Sequence, residues 1–499
     1  MDTRREFLGK AALTGAAMWT GRTLSAQEAK PADPPRDVDV TAEWTKLHAD
    51  PKAQPGTTYR AGTVQVQPIE TKFEKTASGY SIQMPGGTPI PTPAVYKDKV
   101  YVSAGFHSNE YFCFDAATGK QLWSARLNDD GPSTAAVEDD LVVVNTESCT
   151  IFTLEASTGK GVWSLWLGDP LMTAPTIAKG RVFTSFPANG RGFHKEASHL
   201  LGAFDLKTGK ILWQRWIDGD VISAPVAVGE EVLAATFTGT VFRFRQDSGE
   251  LLSAIKARAT SAPVAVGNEL HFSKRSEKAG EAEEALCVWE KGGSAGAVRY
   301  AQVFGAKKAV YLEESVQNQA ATKGKAMKLD ADNGFGAGAP QAAKPDIAGK
   351  NVGQNNVSTL QSFQGSRILR HGDRNFSCMG DEVLCADPRD GKKLWSVKLK
   401  GDLAKAGGFL GAPPVSAGAS LFMTTLAGEV RQIDPATGET RKSWEVGREM
   451  RFPPTVVGGR VFIGTQDGRM VCIDTGDAKN TGWPQWGGNA QRTGVASGT

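Results

Sequence analysis

From about residue 91 the chain repeats itself, and that repetition constrains the fold more than any other feature. The unit is an apolar strand, an acidic residue, a short Thr-Gly-Lys-like turn, and a tryptophan eight residues beyond the acid. It reads Asp115-Ala-Ala-Thr-Gly119-Lys120-Gln-Leu-Trp123 and recurs at Glu155/Gly159/Trp163, Asp205/Gly209/Trp213 and Asp387/Gly391/Trp395. Looser copies are Asp434/Gly438/Trp444 and Asp474/Gly476/Trp483, with Gly249 marking a copy whose tryptophan slot holds Ser253. The weakest copy spans Cys287 to Gly293. Tryptophans 123, 163 and 213 are 40 and 50 residues apart, and 395, 444 and 483 are 49 and 39 apart.

Each unit has a second half. Ala174-Pro175, Ala224-Pro225 and Ala262-Pro263 each lead through a Gly or Asn turn to another β-rich run, such as Arg181-Val182-Phe183 or Glu231-Val232-Leu233. One unit therefore holds four short strands, A to D, with tight A–B and C–D turns. Four strands per period of roughly 40 to 45 residues is the pattern of a β-propeller blade. The sequence predicts an all-β propeller of four-stranded antiparallel blades. There are eight by their marker glycines, or seven if the degenerate fifth copy forms none.

This Asp-x-x-Thr-Gly-Lys-x-x-Trp pattern resembles the pyrroloquinoline-quinone-like β-propeller repeat over about 400 residues. The resemblance implies that the strand-D tryptophan docks between neighbouring blades. That role is carried onto Trp123, Trp163, Trp213, Trp395, Trp444 and Trp483, and the turn role onto Gly119, Gly159, Gly209, Gly249, Gly391 and Gly438. Ring closure falls to one of two segments. Trp483-Pro-Gln-Trp486-Gly-Gly is favoured as the last strand D over a displaced strand at 73–84.

The N-terminus carries a basic stretch, a short apolar run and small residues near Ala26, as an export signal does. Arg4, Arg5, Phe7, Leu8 and Lys10 resemble a twin-arginine signal. The apolar run is too short for the about 20 residues of a membrane span. Residues 1–26 are therefore expected to be a signal peptide of a periplasmic or secreted protein. Residues 27–56, rich in Pro, Ala and charge, read as a disordered linker. Residues 57–90 contain candidate strands leading into a propeller over 91–499, with an insertion at about 304–358. The formal charge is +3, of which the first 26 residues supply +2, so nothing global argues for nucleic acid. A monomer is expected.

The cysteines preceding blade acids (Cys113, Cys287, Cys385, Cys472) occupy a slot that Thr153 and Ala203 fill elsewhere, which predicts buried thiols. No Cys-x-x-Cys-His occurs, and the six histidines show no metal-ligand spacing, so no metal is assigned. Function is expected on the face that bears the B–C and D–A connections, where 104–110, 185–198, 274–285 and 370–380 read as long B–C loops. His107, Arg191, His194, Arg367, Arg370, His371 and Arg374 are the candidate ligand residues there, with Ser223 and Ser261 nearer the channel.

No catalytic residues are assigned. The family resemblance implies either a non-catalytic binding or assembly scaffold, like its outer-membrane assembly factors, or a quinoprotein dehydrogenase of alcohols or sugars using pyrroloquinoline quinone (PQQ) and calcium. The first is preferred, with no cofactor expected and an unknown protein or small molecule as partner, although the lipidated cysteine of such scaffolds is absent. Against the second, no two cysteines adjoin, and only Asp373-Arg-Asn375 suggests calcium oxygens. A hydrolytic propeller would need a carboxylate pair that is not apparent.

Overall fold

The computed structural model describes residues 37–56, 59–105, 107–147, 149–168, 173–188, 197–278, 281–290, 298–304, 368–402, 410–477 and 487–494. Thirty-two strands form eight four-stranded antiparallel blades. Blade one consists of Ala94–Tyr96, Lys99–Ser103, Glu110–Asp115 and Gln121–Leu127, from axis to rim. Blades two to seven follow at 136–166, 176–217, 226–256, 264–304, 368–398 and 415–445. The innermost strands of consecutive blades touch all the way round, the eighth meeting the first, so the ring is closed. The degenerate fifth copy does form a blade, which settles the count at eight.

Alternation within strands explains the core. Val100 and Val102 point one way and Tyr101 the other, and all three are buried because each blade is covered on both faces by its neighbours. The C–D turn is shaped by its acid. Asp115 Oδ1 accepts from the Ala117 and Thr118 backbone N–H groups at 3.1 and 2.8 Å and from Thr118 Oγ1 at 2.7 Å. These bonds hold the Asp115 carboxyl below its ordinary pKa. The turn ends on Gly119 at φ +71°, a left-handed conformation that favours glycine.

Two features differ from the sequence expectation. The ring closes through Gly79–Gln83, which pairs with Arg469–Asp474 as the outer strand of blade eight, and Lys72–Thr76 adds a fifth strand outside it. The favoured closing segment around Trp483 lies outside the described residues. Joining the start of the chain to its end removes the open edge that an incomplete last blade would expose.

The second difference is the segment read as linker. Val38–Asp39 pairs with the outer strand of blade four, Thr41–Ala49 is an α-helix and Pro51–Ala53 a 3-10 turn. Trp44 is buried edge-on against Phe242, their rings 5.0 Å apart. Trp216 Nε1 donates to the Ala53 carbonyl, and Gln214 Nε2 donates to Tyr59 Oη at 2.7 Å. Onward, Arg60 bridges to Trp166 and Val64–Val66 pairs with the outer strand of blade one. The described residues between 37 and 83 thus run round the rim past blades four, three, two, one and eight. One buried tryptophan, backbone pairing and a few side-chain hydrogen bonds, rather than periodicity, fasten this belt, which is why composition reads it as linker.

Candidate functional site

Antiparallel order puts A–B and C–D turns on one face and B–C and D–A connections on the other. On that second face His107, in the B–C loop of blade one, adopts φ +57°. Its Nδ1 lies 3.2 Å from Glu147 Oε2, and its backbone N–H donates to Glu147 Oε1 at 3.1 Å. Glu147 belongs to the B–C loop of blade two, and its own N–H donates to the Asp130 carbonyl at 2.8 Å. Three loops from two blades are therefore fastened into one surface.

Beneath this face lie buried and half-buried carboxylates that sequence reasoning missed. Asp129 Oδ2 accepts from Thr146 Oγ1 at 2.6 Å and from Thr150 Oγ1, and Asp218 accepts from Thr236 Oγ1 at 2.7 Å and from Thr240 Oγ1. Asp220 Oδ1 accepts from Thr173 Oγ1 at 2.6 Å, from Ser185 Oγ, and from the Val221 N–H at 2.9 Å. Burial raises the Asp218 pKa and lowers that of His199 nearby. Asn145 Nδ2 joins the group by donating to Thr173 O and Thr184 Oγ1, at 2.8 and 2.6 Å. The available signal was Thr-x-x-x-Thr, at 146–150 and again at 236–240, with an aspartate 17 or 18 residues upstream. These bonds tie D–A connections to B–C loops.

The ring axis holds a second unanticipated feature. The N–H groups of Val137, Ile177 and Ala227, each midway along an innermost strand, donate to the carbonyls of Ala490, Gln491 and Thr493, all at 2.8 Å. The N–H of Ala265 reaches Gly494 O at 3.3 Å. The C-terminal segment therefore lines the inner wall of blades two to five. Arg492 is 1% exposed, with Nε donating to the Ala135 carbonyl at 2.5 Å and Nη2 to Thr134 Oγ1. Burial pulls its pKa down to about 9.

The predicted ligand residues do not share one rim. Ile368–His371 is the innermost strand of blade six and Arg374–Met379 the next, so His371 and Arg374 flank an A–B turn on the face opposite His107. Reading 370–380 as a B–C loop mistook a strand pair for a loop, and that error carries Arg370, His371 and Arg374 to the wrong face. Arg374 Nη1 donates to Pro435 O and Ala436 O of blade seven, at 3.2 and 3.0 Å, which is an inter-blade fastening. His371 is half-buried near Phe376, and burial lowers its pKa. Likewise 274–285 is mostly the paired strands Glu269–Lys278 and Glu281–Glu290. Arg191, His194 and Arg367 lie outside the described residues. Ser223 and Ser261 are buried, and the Ala174 N–H donates to Ser223 O at 2.8 Å.

In four blades the strand-D tryptophan lies against the next blade. Nε1 of Trp123, Trp163, Trp213 and Trp395 donates to Ala156, Leu206, Gln246 and Pro435 carbonyls of the next blade, at 3.0, 2.8, 2.9 and 3.1 Å. Each ring covers the turn glycine there, Gly159, Gly209, Gly249 and Gly438 respectively, where a Cβ would come within 2.7 Å. Blade seven departs from the pattern. Lys442 stands opposite Gln432 in the tryptophan slot, and Trp444, opposite Val430, packs in the core with Lys442 Nζ 4.8 Å from its ring centre. Trp483 lies outside the described residues.

Among the described residues, the pair that suggested calcium oxygens, Asp373 and Asn375, is not arranged as one site. Asp373 sits on an exposed turn beside Arg374, whereas Asn375 is buried with Nδ2 3.0 Å from His271 Nδ1, so the two do not converge. Among the described residues no three His, Cys, Asp or Glu side chains gather as metal ligands. The axis wall of blades two to five is taken by residues 490–494.

A family model described as outer membrane protein assembly factor BamB matches residues 14–277, 185–362 and 379–497. No curated protein sequence matches. Among solved structures, BamB from Moraxella catarrhalis is similar at 14% identity and a TM-score of 0.51, over 80% of this chain and 97% of that one. The computationally designed Ika8 protein is similar at 14% identity and a TM-score of 0.50, over 79% and 98%. Quinohemoprotein alcohol dehydrogenase ADHIIG from Pseudomonas putida HK5 shows 12% identity and a TM-score of 0.49, over 80% and 76%. At such identities the likeness is one of fold.

Proposed function

Because the chain belongs to the family of the outer membrane protein assembly factor BamB, we propose that it is an exported, non-catalytic scaffold that binds a protein partner through its B–C/D–A face. The observation that carries this reading is the cross-fastening of loops on that face. Glu147 of blade two holds both the His107 ring and its N–H in blade one, so the surface is preformed and loses little entropy on binding. The opposite face is built of short turns whose acids are engaged by their own backbone. No helix among the described residues is long and apolar enough to cross a membrane. Export rests on Arg4 and Arg5, and replacing both by Lys should hold the protein inside the cell; unchanged export would reject that route.

The binding test places a photoreactive phenylalanine analogue at position 107 or at position 373, on opposite faces. Irradiation of cell envelopes should give a discrete adduct with an outer-membrane assembly component from position 107 and none from position 373. Equal labelling from both positions would reject the face assignment. Dye-linked alcohol oxidation by purified protein with PQQ and Ca²⁺ would replace the scaffold reading with a dehydrogenase.

A further inference from the structure

Gly79–Gln83 completes blade eight, so the ring has no need of the chain beyond Asp474 for closure. Yet residues 487–494 are held on the axis by more contacts than a frayed end makes. The segment closes on itself: the Gly494 N–H donates to Gly487 O at 3.0 Å, and the Arg492 N–H to Asn489 O at 3.1 Å. Asn489 brackets Thr493 from both sides, its Nδ2 donating to Thr493 Oγ1 at 2.7 Å and its Oδ1 accepting the Thr493 N–H at 3.1 Å. From this knot the carbonyls of Ala490, Gln491, Thr493 and Gly494 fan outward to four successive blades. Thr176 Oγ1 adds a bond to Arg492 O at 3.1 Å. A Cβ at Gly494 would fall 2.6 Å from Val226 Cγ1, so the fit at that end is close.

We propose that the inner wall of blades two to five is a binding site for a turn-shaped peptide bearing a guanidinium, and that residues 487–494 are its ligand in cis. The chemistry on each side is specific. Four inner strands each offer an axis-facing N–H from their middle residue, and a peptide that curls with its carbonyls outward satisfies them in one step. The Ala135 carbonyl and Thr134 hydroxyl form the arginine subsite, both acceptors that match a guanidinium donor fork. Thr134 is itself fixed, its Oγ1 donating to Thr92 O at 2.6 Å. The plug is therefore a separable module seated in a finished ring, unlike the N-terminal belt, whose strand at 79–83 is part of the ring.

The test uses the full chain with a protease recognition sequence inserted after Lys479, cut only once the protein has folded. The released fragment, carrying 487–499, should stay with the ring through dilution and gel filtration. The same cut chain carrying Arg492→Ala should lose its fragment at least tenfold faster. Immediate release of the unaltered fragment would overturn the site, and equal retention of the Arg492→Ala fragment would overturn the guanidinium requirement. In the uncut chain, Arg492→Ala should speed amide exchange at Val137, Ile177 and Ala227 at least tenfold while strand 79–83 stays protected. Unchanged exchange at those three amides would also overturn it, and the cut chain decides if that variant does not fold.

Discussion

Tyr80 covers Gly119 in the way each docked indole covers the glycine of the following blade. A Cβ on Gly119 would lie 2.9 Å from the Tyr80 ring, and Tyr80 Oη donates to the Ala116 carbonyl at 3.0 Å. Tyr80 stands opposite Cys472, as Trp123 stands opposite Cys113 and Trp395 opposite Cys385. The last joint of the ring therefore repeats the inter-blade joint with a phenol in place of an indole. Tyr80→Phe should cost about 1 kcal/mol through the lost hydrogen bond. Tyr80→Ala should cost about 3–5 kcal/mol, as for a buried aromatic truncation. Denaturant melts of the two variants check the ladder, and equal losses would show that the hydroxyl, not the ring, makes the joint.

The belt makes a separate claim on stability. Trp44 is buried against Phe242 on a helix that composition alone reads as linker. Trp44→Ala should destabilise the protein by about 3 kcal/mol or release the segment ahead of global unfolding. Limited proteolysis distinguishes the two, because release exposes 37–56 to cleavage while the ring stays intact. A silent substitution would mean that the segment has the linker character its composition suggests.

How much of this was legible follows from spacing. The four docked indoles sit eight residues beyond their acids, and all four were readable because turn and strand are contiguous in sequence. Trp444 sits ten beyond Asp434, so the bulged strand puts Lys442 in the slot, a shift the looser match already contained. The strand at 73–84 was read only as the less favoured closing segment, because its partner strand, Arg469–Asp474, lies at the far end of the chain and no local pattern singles out Tyr80 for the joint. The misplacement of Arg370, His371 and Arg374 has the same origin as a register slip, since counting one strand too few moves every later residue to the other face. Arg492 carried no signal at all; only the ring around it makes it a ligand.

Acid should loosen the belt first. His48 Nε2 lies 2.9 Å from the Trp216 carbonyl, and burial, with Arg215 adding repulsion, holds its pKa at about 4 against an ordinary 6.5. The folded state therefore refuses a proton that the unfolded state accepts between those values. Stability is complete above pH 6.5, falls as pH drops toward 4, and loses nothing further from this group below that. Allowing for the partial exposure of the ring, the loss is about 1–2 kcal/mol. Thermal melts across this window should show a slope that His48→Gln reduces; an unaltered slope would assign it to other groups.

The thiols give the last prediction. All six cysteines are buried, and no disulfide joins any two of them. Burial is the first cause in each resolved case, pushing Cys113, Cys287 and Cys472 up to about 12 and Cys385 up to about 11. Neighbouring donors and cations, such as Tyr80 beside Cys472 and Arg374 beside Cys385, pull the other way without offsetting it. A thiol reagent at pH 8 should therefore find no reactive group in the folded protein, because access is missing at all six and, at those four, the thiolate as well. In denaturant the same reagent should count six. Fewer than six would reveal a disulfide, which none of these thiols forms in the structure, and a fast native reaction would show that a blade opens well below global unfolding.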